Sequence, residues 1–279
     1  MSTSSGSSSK ANGLEHYTID HRSAFASLMA GRTAQANAAF FLPHLREGIK
    51  LLDCGCGSGS ITIGFAKAVT GISVVGVDLQ ESEIHAAEKR AKTESIGNVR
   101  FELGDVYNLQ YSEGSFDAVY CHAVLDHLSR PIVALREMHR VLRYAGVIGV
   151  RACDWGGWIH WPQNALVDEA FSLWHRYKQH EGGDPFIGRR LCALIREAGF
   201  ERIAGSAAPA GARASAEVFK AVLLAPRLVE DVISLGWATK EKYEEMGRAI
   251  DEWCTHPDFF HTYPWVEATA WKGSRPELK

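Results

Sequence analysis

The sequence predicts an α/β fold: a mostly parallel, Rossmann-like sheet with helices on both faces and helical insertions capping one end. Two observations carry this. Short apolar runs between residues 50 and 152 alternate with segments of helical period, and strands joined by helices form right-handed βαβ units. The stretch Leu51-Leu52-Asp53-Cys54-Gly55-Cys56-Gly57-Ser58-Gly59-Ser60 then reads as a buried strand running into a glycine-rich turn and a helix. Its glycines let a ligand reach main-chain atoms with no Cβ in the way. Asp78 ends the next strand, Val74-Val75-Gly76-Val77-Asp78. A glycine turn followed by an acid at that place suits a nucleoside held by its ribose.

Residues 1–12, mostly serine and glycine, are expected to be a disordered tail. Residues 13–46 read as a helical lid. Its first helix, 14–30, carries Phe25, Leu28 and Met29 on one stripe and ends at a Gly31 hinge; a second runs to Pro43 with Ala34, Ala38, Phe41 and Leu42. The first helix is expected to close over the cofactor or to join a second copy of the chain. Strands are expected at Lys50–Cys54, 73–78, Val99–Leu103, Phe116–Cys121 and Val147–Ala152, the last after a turn at Tyr144-Ala145-Gly146. Helices are expected at 60–69, at 81–96 with Ile84, Ala87 and Ala91 inward, and from Pro131 with Ile132, Leu135, Met138 and Leu142. A helix Phe186–Ala198 precedes a strand from Phe200, residues 214–255 are helical, and Val266–Lys272 is a last strand, added antiparallel at the sheet edge. Residues 153–185 and 212–262 are read as cap insertions.

Composition narrows the partners. The formal charge of the 279-residue chain is −3 and no lysine/arginine run occurs, so nucleic acid and anionic membrane surfaces are not expected partners. Apolar runs are too short and interrupted to span a bilayer. No charged-then-apolar leader opens the sequence, which reads as cytoplasmic. The six cysteines have neither zinc-knuckle nor disulfide-framework spacing and are expected to be reduced thiols.

The glycine turn lacks the Gly-Lys-Ser/Thr of a P-loop. Past the third strand stands Gly104-Asp105-Val106, where an acid can accept from an adenine amino group with Val106 beside the ring. The fourth strand begins Phe116-Asp117-Ala118-Val119. Together these resemble the class I S-adenosylmethionine (SAM)-dependent methyltransferases, through Leu51–Ser60, Val74–Asp78, Gly104–Val106, Phe116–Leu128 and Arg136–Val150. The resemblance implies SAM as cofactor and a methyltransferase domain over 47–279, with a seven-stranded sheet whose last strand is antiparallel. It also implies roles. Gly55, Cys56 and Gly57 would hold the methionine and ribose part, and Asp78, with Leu79 beside it, the ribose hydroxyls. Asp105 and Val106 would take the adenine, and His122 would line the methionine side. Asp53 is expected to bond backbone of the loop and Asp117 to be a solvated strand-edge acid. Arg32-Thr33-Ala34 through Leu45, Val124–Leu128 and Arg136–Leu142 are similar to the ubiquinone/menaquinone-biosynthesis subgroup; Tyr144-Ala145-Gly146 departs from its usual Pro-Gly-Gly.

A sulfonium methyl is already electrophilic, so such an enzyme must align a nucleophile and exclude water. Asn/Asp-Pro-Pro-Tyr, which serves N-methylation of planar amides, is replaced by Cys121-His122-Ala123-Val124. Only Asp126 is near for a metal, so no metal is expected. Trp155, Trp158 and Trp161 can form an apolar wall whose π-faces steady a passing cation. His21 is a further substrate-side residue, and Tyr17 and His160 are candidate bases. The expected reaction is methyl transfer to a bulky, largely apolar small molecule of natural-product or quinone type, with a prenyl or aromatic carbon favoured. In size and pocket character the chain is similar to teleocidin-type prenyl-indole C-methyltransferases. O- or N-methylation of a small aromatic metabolite is the alternative, followed by a non-catalytic SAM-binding or assembly protein.

Overall fold

The computed structural model describes residues 31–210 and 220–274. The tail 1–12, the first helix, Tyr17, His21 and the oligomer contact expected through that helix lie outside the described residues.

Seven strands form the main sheet: β1 Lys50–Cys54, β2 Ser73–Asp78, β3 Val99–Leu103, β4 Phe116–His122, β5 Leu142–Cys153, β7 Glu201–Pro209 and β9 Pro264–Trp271, in the order β3-β2-β1-β4-β5-β9-β7. β1 to β5 are parallel, and β9 runs antiparallel to both neighbours. The antiparallel last strand is as expected, but it lies one place in from the edge, because β7 pairs outside it.

Consecutive apolar residues in β1 and β4 leave no polar face, as a sheet covered on both sides requires. On one face Leu52, Val119, Leu135, Met138 and Ile195 form a core with helices α4 (Pro131–Val141) and α6 (Leu191–Glu197). On the other, Leu51, Phe65 and Tyr120 pack with α2 (Ser60–Ala68) and the segment from Ala34 to Phe41. Helix α3 (Glu81–Thr93) seats Ile84, Ala87 and Ala91 near Phe101. Burying such an aliphatic side chain contributes roughly 1.5–3 kcal/mol.

The cap consists of α5 (Ala165–His180), α7 (Pro226–Ser234), α8 (Lys240–Thr255) and a two-stranded sheet of β6 (Ile159–Trp161) with β8 (Phe260–Thr262). Trp155, Phe171, Trp174, Tyr177, Met246 and Trp253 are among its buried residues. Lys178, 0% exposed on α5, reaches Asp126 of the loop after β4 at 2.8 Å and ties cap to sheet.

Four expectations change. The helix expected up to Pro43 is one turn, α1 (Ala34–Asn37), capped by the Thr33 hydroxyl, and a 3-10 turn Leu42–His44. The chain leaves the helix because Phe41 must reach Gly149 of β5, where a Cβ would stand 2.4 Å from its ring. β5 begins at Leu142, so Tyr144-Ala145-Gly146 is a bulge inside the strand: Ala145 has φ 57°, and the β4 register slips between Phe116 and Ala118. The helix expected from Phe186 starts as a 3-10 turn, Ile187–Arg190, before α6. The helical stretch 214–255 divides, among its described residues, at Gly236, φ 68°, between α7 and α8.

Candidate cofactor and acceptor site

The strand order reverses between β1 and β4, and ligands of open α/β sheets sit in the crevice beyond the strand ends at that place. There β1 enters its turn. Gly55, Gly57 and Gly59 have φ of 75°, 50° and 76°, a region costly for any side chain with a Cβ. At Gly55 a Cβ would also stand 2.2 Å from Val124 Cγ2. Gly55 and Cys56 donate their N–H groups to Val77 O at 2.8 and 3.0 Å.

Asp78 is held by the same turn. Its Oδ2 accepts from Gly57 N at 2.9 Å and its Oδ1 from Gln80 N at 3.0 Å. These two bonds fix the orientation of the carboxylate at the end of β2. Leu79, next to it, is 39% exposed. Asp105 Oδ1 accepts from Tyr107 N at 2.8 Å, which fixes the turn carrying Val106 past β3. His122 ends β4. Gly55, Cys56, Gly57, Asp78, Leu79, Asp105, Val106 and His122 thus all stand at or just beyond the carboxyl ends of β1 to β4.

Asp53 bonds differently from expectation: Thr62 Oγ1 donates to its Oδ2 at 2.6 Å, joining β1 to α2. Burial pushes its carboxyl up to about 7, against the Thr62 hydrogen bond and with help from Asp78. Asp117 is not a solvated edge acid. It accepts from Lys50 N at 2.8 Å and pairs with Arg143, at the opposite end of the sheet.

The His122 imidazole is buried, and neither ring nitrogen has a hydrogen-bond partner. It stacks on Trp265 of β9, centroids 5.0 Å apart and planes 19° from parallel. Burial, then the charges of Arg32 and Arg151, hold its pKa well below the ordinary histidine value, so the ring is neutral. Ala123, which follows, has φ 56°, a strained backbone for alanine of the kind found at functional sites.

The three tryptophans do not form one wall. Trp155 is inside the cap, stacked on Tyr263 at 5.0 Å and edge-on to Trp174. Trp158 is half-buried and stacks on His160 at 4.1 Å. Trp161 is 56% exposed on the outer sheet of the cap, in register with Phe260. His160 lies within the cap as well: its Nε2 is 3.3 Å from Asp168 Oδ1, and its ring meets Trp253 edge-on. Burial lowers its pKa, partly offset by Asp168. An aromatic path does join cap to strand ends, through Trp155, Tyr263, Trp265 and His122 in turn. Trp265 and Arg151 stand beside His122 and were not among the expected site residues. The signal for Arg151 was a charged residue inside the apolar run Val147–Ala152.

A methyltransferase-domain family model matches residues 45–199, more than half of the chain. The chain belongs to this family. Among relatives of this methyltransferase-domain protein, an uncharacterised methyltransferase of Schizosaccharomyces pombe is 32% identical over 65% of this chain and 64% of its own length. A protein of Aspergillus luteorubrus named as a methyltransferase is 32% identical over 62% and 65%. A demethylmenaquinone methyltransferase of Staphylococcus aureus is 39% identical over 37% and 43%. The chain therefore spans under two thirds of the length of these relatives. Of solved structures, the YcgJ protein of Bacillus subtilis superposes with a TM-score of 0.59 at 19% identity, over 86% of this chain and all of that one. The [4+2]-cyclase SpnF gives 0.55 at 19%, over 88% and 85%, so this fold by itself does not name the reaction.

The cofactor of this methyltransferase-domain protein is SAM. The residues present fit it: a tight glycine turn in which a Cβ at Gly57 would meet nothing nearer than 3.7 Å, an oriented carboxylate for a ribose diol, and an exposed apolar side chain beside that carboxylate. Among the described residues no group of three or more His, Cys, Asp or Glu could hold a metal ion, and no helix is long and apolar enough to cross a membrane.

Proposed function

We propose that the protein transfers a methyl group from SAM to a bulky, largely apolar small molecule of natural-product or quinone type, with an aromatic or prenyl carbon as the favoured acceptor. The observation that carries this reading is the aromatic path from His122 through Trp265 and Tyr263 to Trp155. It joins the carboxyl ends of the strands to the core of the cap through a row of buried π-faces. The shared stretch with a demethylmenaquinone methyltransferase supports the substrate type.

SAM supplies an electrophilic methyl group. The chain's own residues bind, orient and dry the site. The glycine turn offers main-chain contact, Asp78 accepts from ribose hydroxyls, and Asp105 and Val106 meet the adenine. A neutral His122 adds no positive charge beside a sulfonium, so it lines that side without repulsion. The cap excludes water from the acceptor. Trp265 presents a π-face to positive charge, as it already does to Arg151 at 4.7 Å.

Incubation of the full chain with methyl-labelled SAM and a panel of hydrophobic aromatic and prenylated acceptors, followed by mass spectrometry, tests this. The reading requires label in a product, on carbon. A product labelled only on oxygen overturns the carbon assignment. Tight SAM binding with no transfer to any acceptor leaves the non-catalytic alternative.

A further inference from the structure

The sheet face that carries His122 carries two more polar side chains beside it. His122 of β4 is in register with Arg151 of β5, and Arg151 with Glu267 of β9. Arg151 is 5% exposed and donates from Nε to Glu267 Oε1 at 2.9 Å. Its Nη1 is buried and has no hydrogen-bond partner, and the same is true of both ring nitrogens of His122. Trp265 touches both, stacking on His122 and lying under the Arg151 guanidinium.

Folded chains satisfy nearly all buried polar groups, and each exception asks for an explanation. Here two neighbouring side chains are exceptions, at the end of the strand that faces the cofactor crevice. A third feature holds them there: Ala123, with φ 56°, donates its N–H to Arg151 O at 2.9 Å. That strained turn fixes the end of β4 against β5.

The chemistry of the orphaned atoms defines what would satisfy them. The Arg151 guanidinium is a permanent cation and can only donate. A neutral imidazole donates from one nitrogen and accepts at the other. Two donors, one of them charged, suit an anionic oxygen, since charge-assisted bonds are the stronger ones. Trp265, against both, suits an aromatic ring attached to that oxygen.

We propose that His122 and Arg151 form an oxyanion subsite of the acceptor pocket, so that the methyl acceptor is an aromatic molecule carrying an ionised oxygen, a phenolate or a carboxylate. The subsite rests on the reading of this crevice as that of a SAM-dependent methyltransferase with an aromatic acceptor. It narrows that acceptor from apolar in general to an aromatic acid.

Titration of the full-length, SAM-loaded protein with 2-naphthoate and 4-nitrophenolate, beside their neutral counterparts 2-naphthamide and 4-nitroanisole, tests it at a pH where both acids are ionised. At least one anion is expected to bind ten times or more tightly than its neutral counterpart, and which one does so distinguishes carboxylate from phenolate. Arg151→Gln is expected to remove that preference and to leave SAM affinity within about twofold. Equal affinity for anionic and neutral probes in the wild-type protein overturns the proposal whatever the variant does, as does the failure of both anions to bind. Failure of SAM itself to bind contradicts instead the reading on which the subsite rests.

Discussion

Lys178 Nζ of the cap stands 2.8 Å from Asp126 Oδ2 and 3.2 Å from His127 Nδ1 of the turn after β4, with all three side chains buried. Burial raises the Asp126 carboxyl, but the charges of His127 and Lys178 and the Lys178 hydrogen bond outweigh it and hold the group well below the usual carboxylate range. Removing one partner of a buried pair strands the other charge and costs about 3–5 kcal/mol. Lys178→Met is therefore expected to lower unfolding free energy by that order in denaturant titrations, and Lys178→Met with Asp126→Leu to recover much of it. Because the folded pKa is depressed, this contribution is present above the unfolded carboxylate value and is lost as pH falls through the folded one. It should hold from neutral to mildly acid pH and fail only in strong acid.

Asp53 predicts the opposite slope in a separate window. Its folded pKa is raised to about 7, so between about pH 4 and pH 7 the unfolded chain releases a proton that the folded chain keeps. Stability contributed by this group therefore falls as pH rises through that window, by on the order of 4 kcal/mol in total. Asp53→Asn, which keeps an acceptor for Thr62, should flatten the stability profile there. A profile unchanged from wild type would show that Asp53 is ionised in the fold.

The glycine turn makes a steric prediction. Gly55→Ala places a methyl 2.2 Å from Val124 Cγ2 at φ 75°. It is expected to destabilise the protein by about 1–3 kcal/mol and to weaken SAM binding at least tenfold. Adding Val124→Ala relieves the contact but not the dihedral, so thermal stability should return in part.

The tryptophans separate by burial. Trp155→Ala should cost about 3–5 kcal/mol, as large-to-small changes in a core do. Trp161→Ala, exposed, should stay within about 0.5 kcal/mol. Urea titrations of the two variants check both values, and equal effects would contradict the arrangement of the cap.

The first five strands were legible because each is an apolar run bounded by glycine, proline or polar turns, and β2 and β3 match their expected bounds. The residues expected to hold the cofactor could be placed for the same reason: they stand at or just beyond the ends of those strands. What was not legible depends on distant partners. Phe41 leaves the helical path to meet Gly149, and nothing local in Ala34–Phe41 announces that contact. Arg151 finds Glu267, 116 residues away, only after β9 has been inserted between β5 and β7. The three tryptophans look alike in sequence, and only the folding of the cap makes one core, one half-buried and one exposed.

The crevice beyond β1 to β4 is expected to hold SAM with Asp78 as its ribose acceptor. Titration calorimetry of SAM against the wild-type chain and Asp78→Ala tests it most directly. Loss of two charge-assisted hydrogen bonds is worth roughly 2–3 kcal/mol, so the variant should bind SAM roughly 30 to 150 times more weakly than wild type. Equal affinity in the two proteins, or no SAM binding by the wild type, would contradict the account.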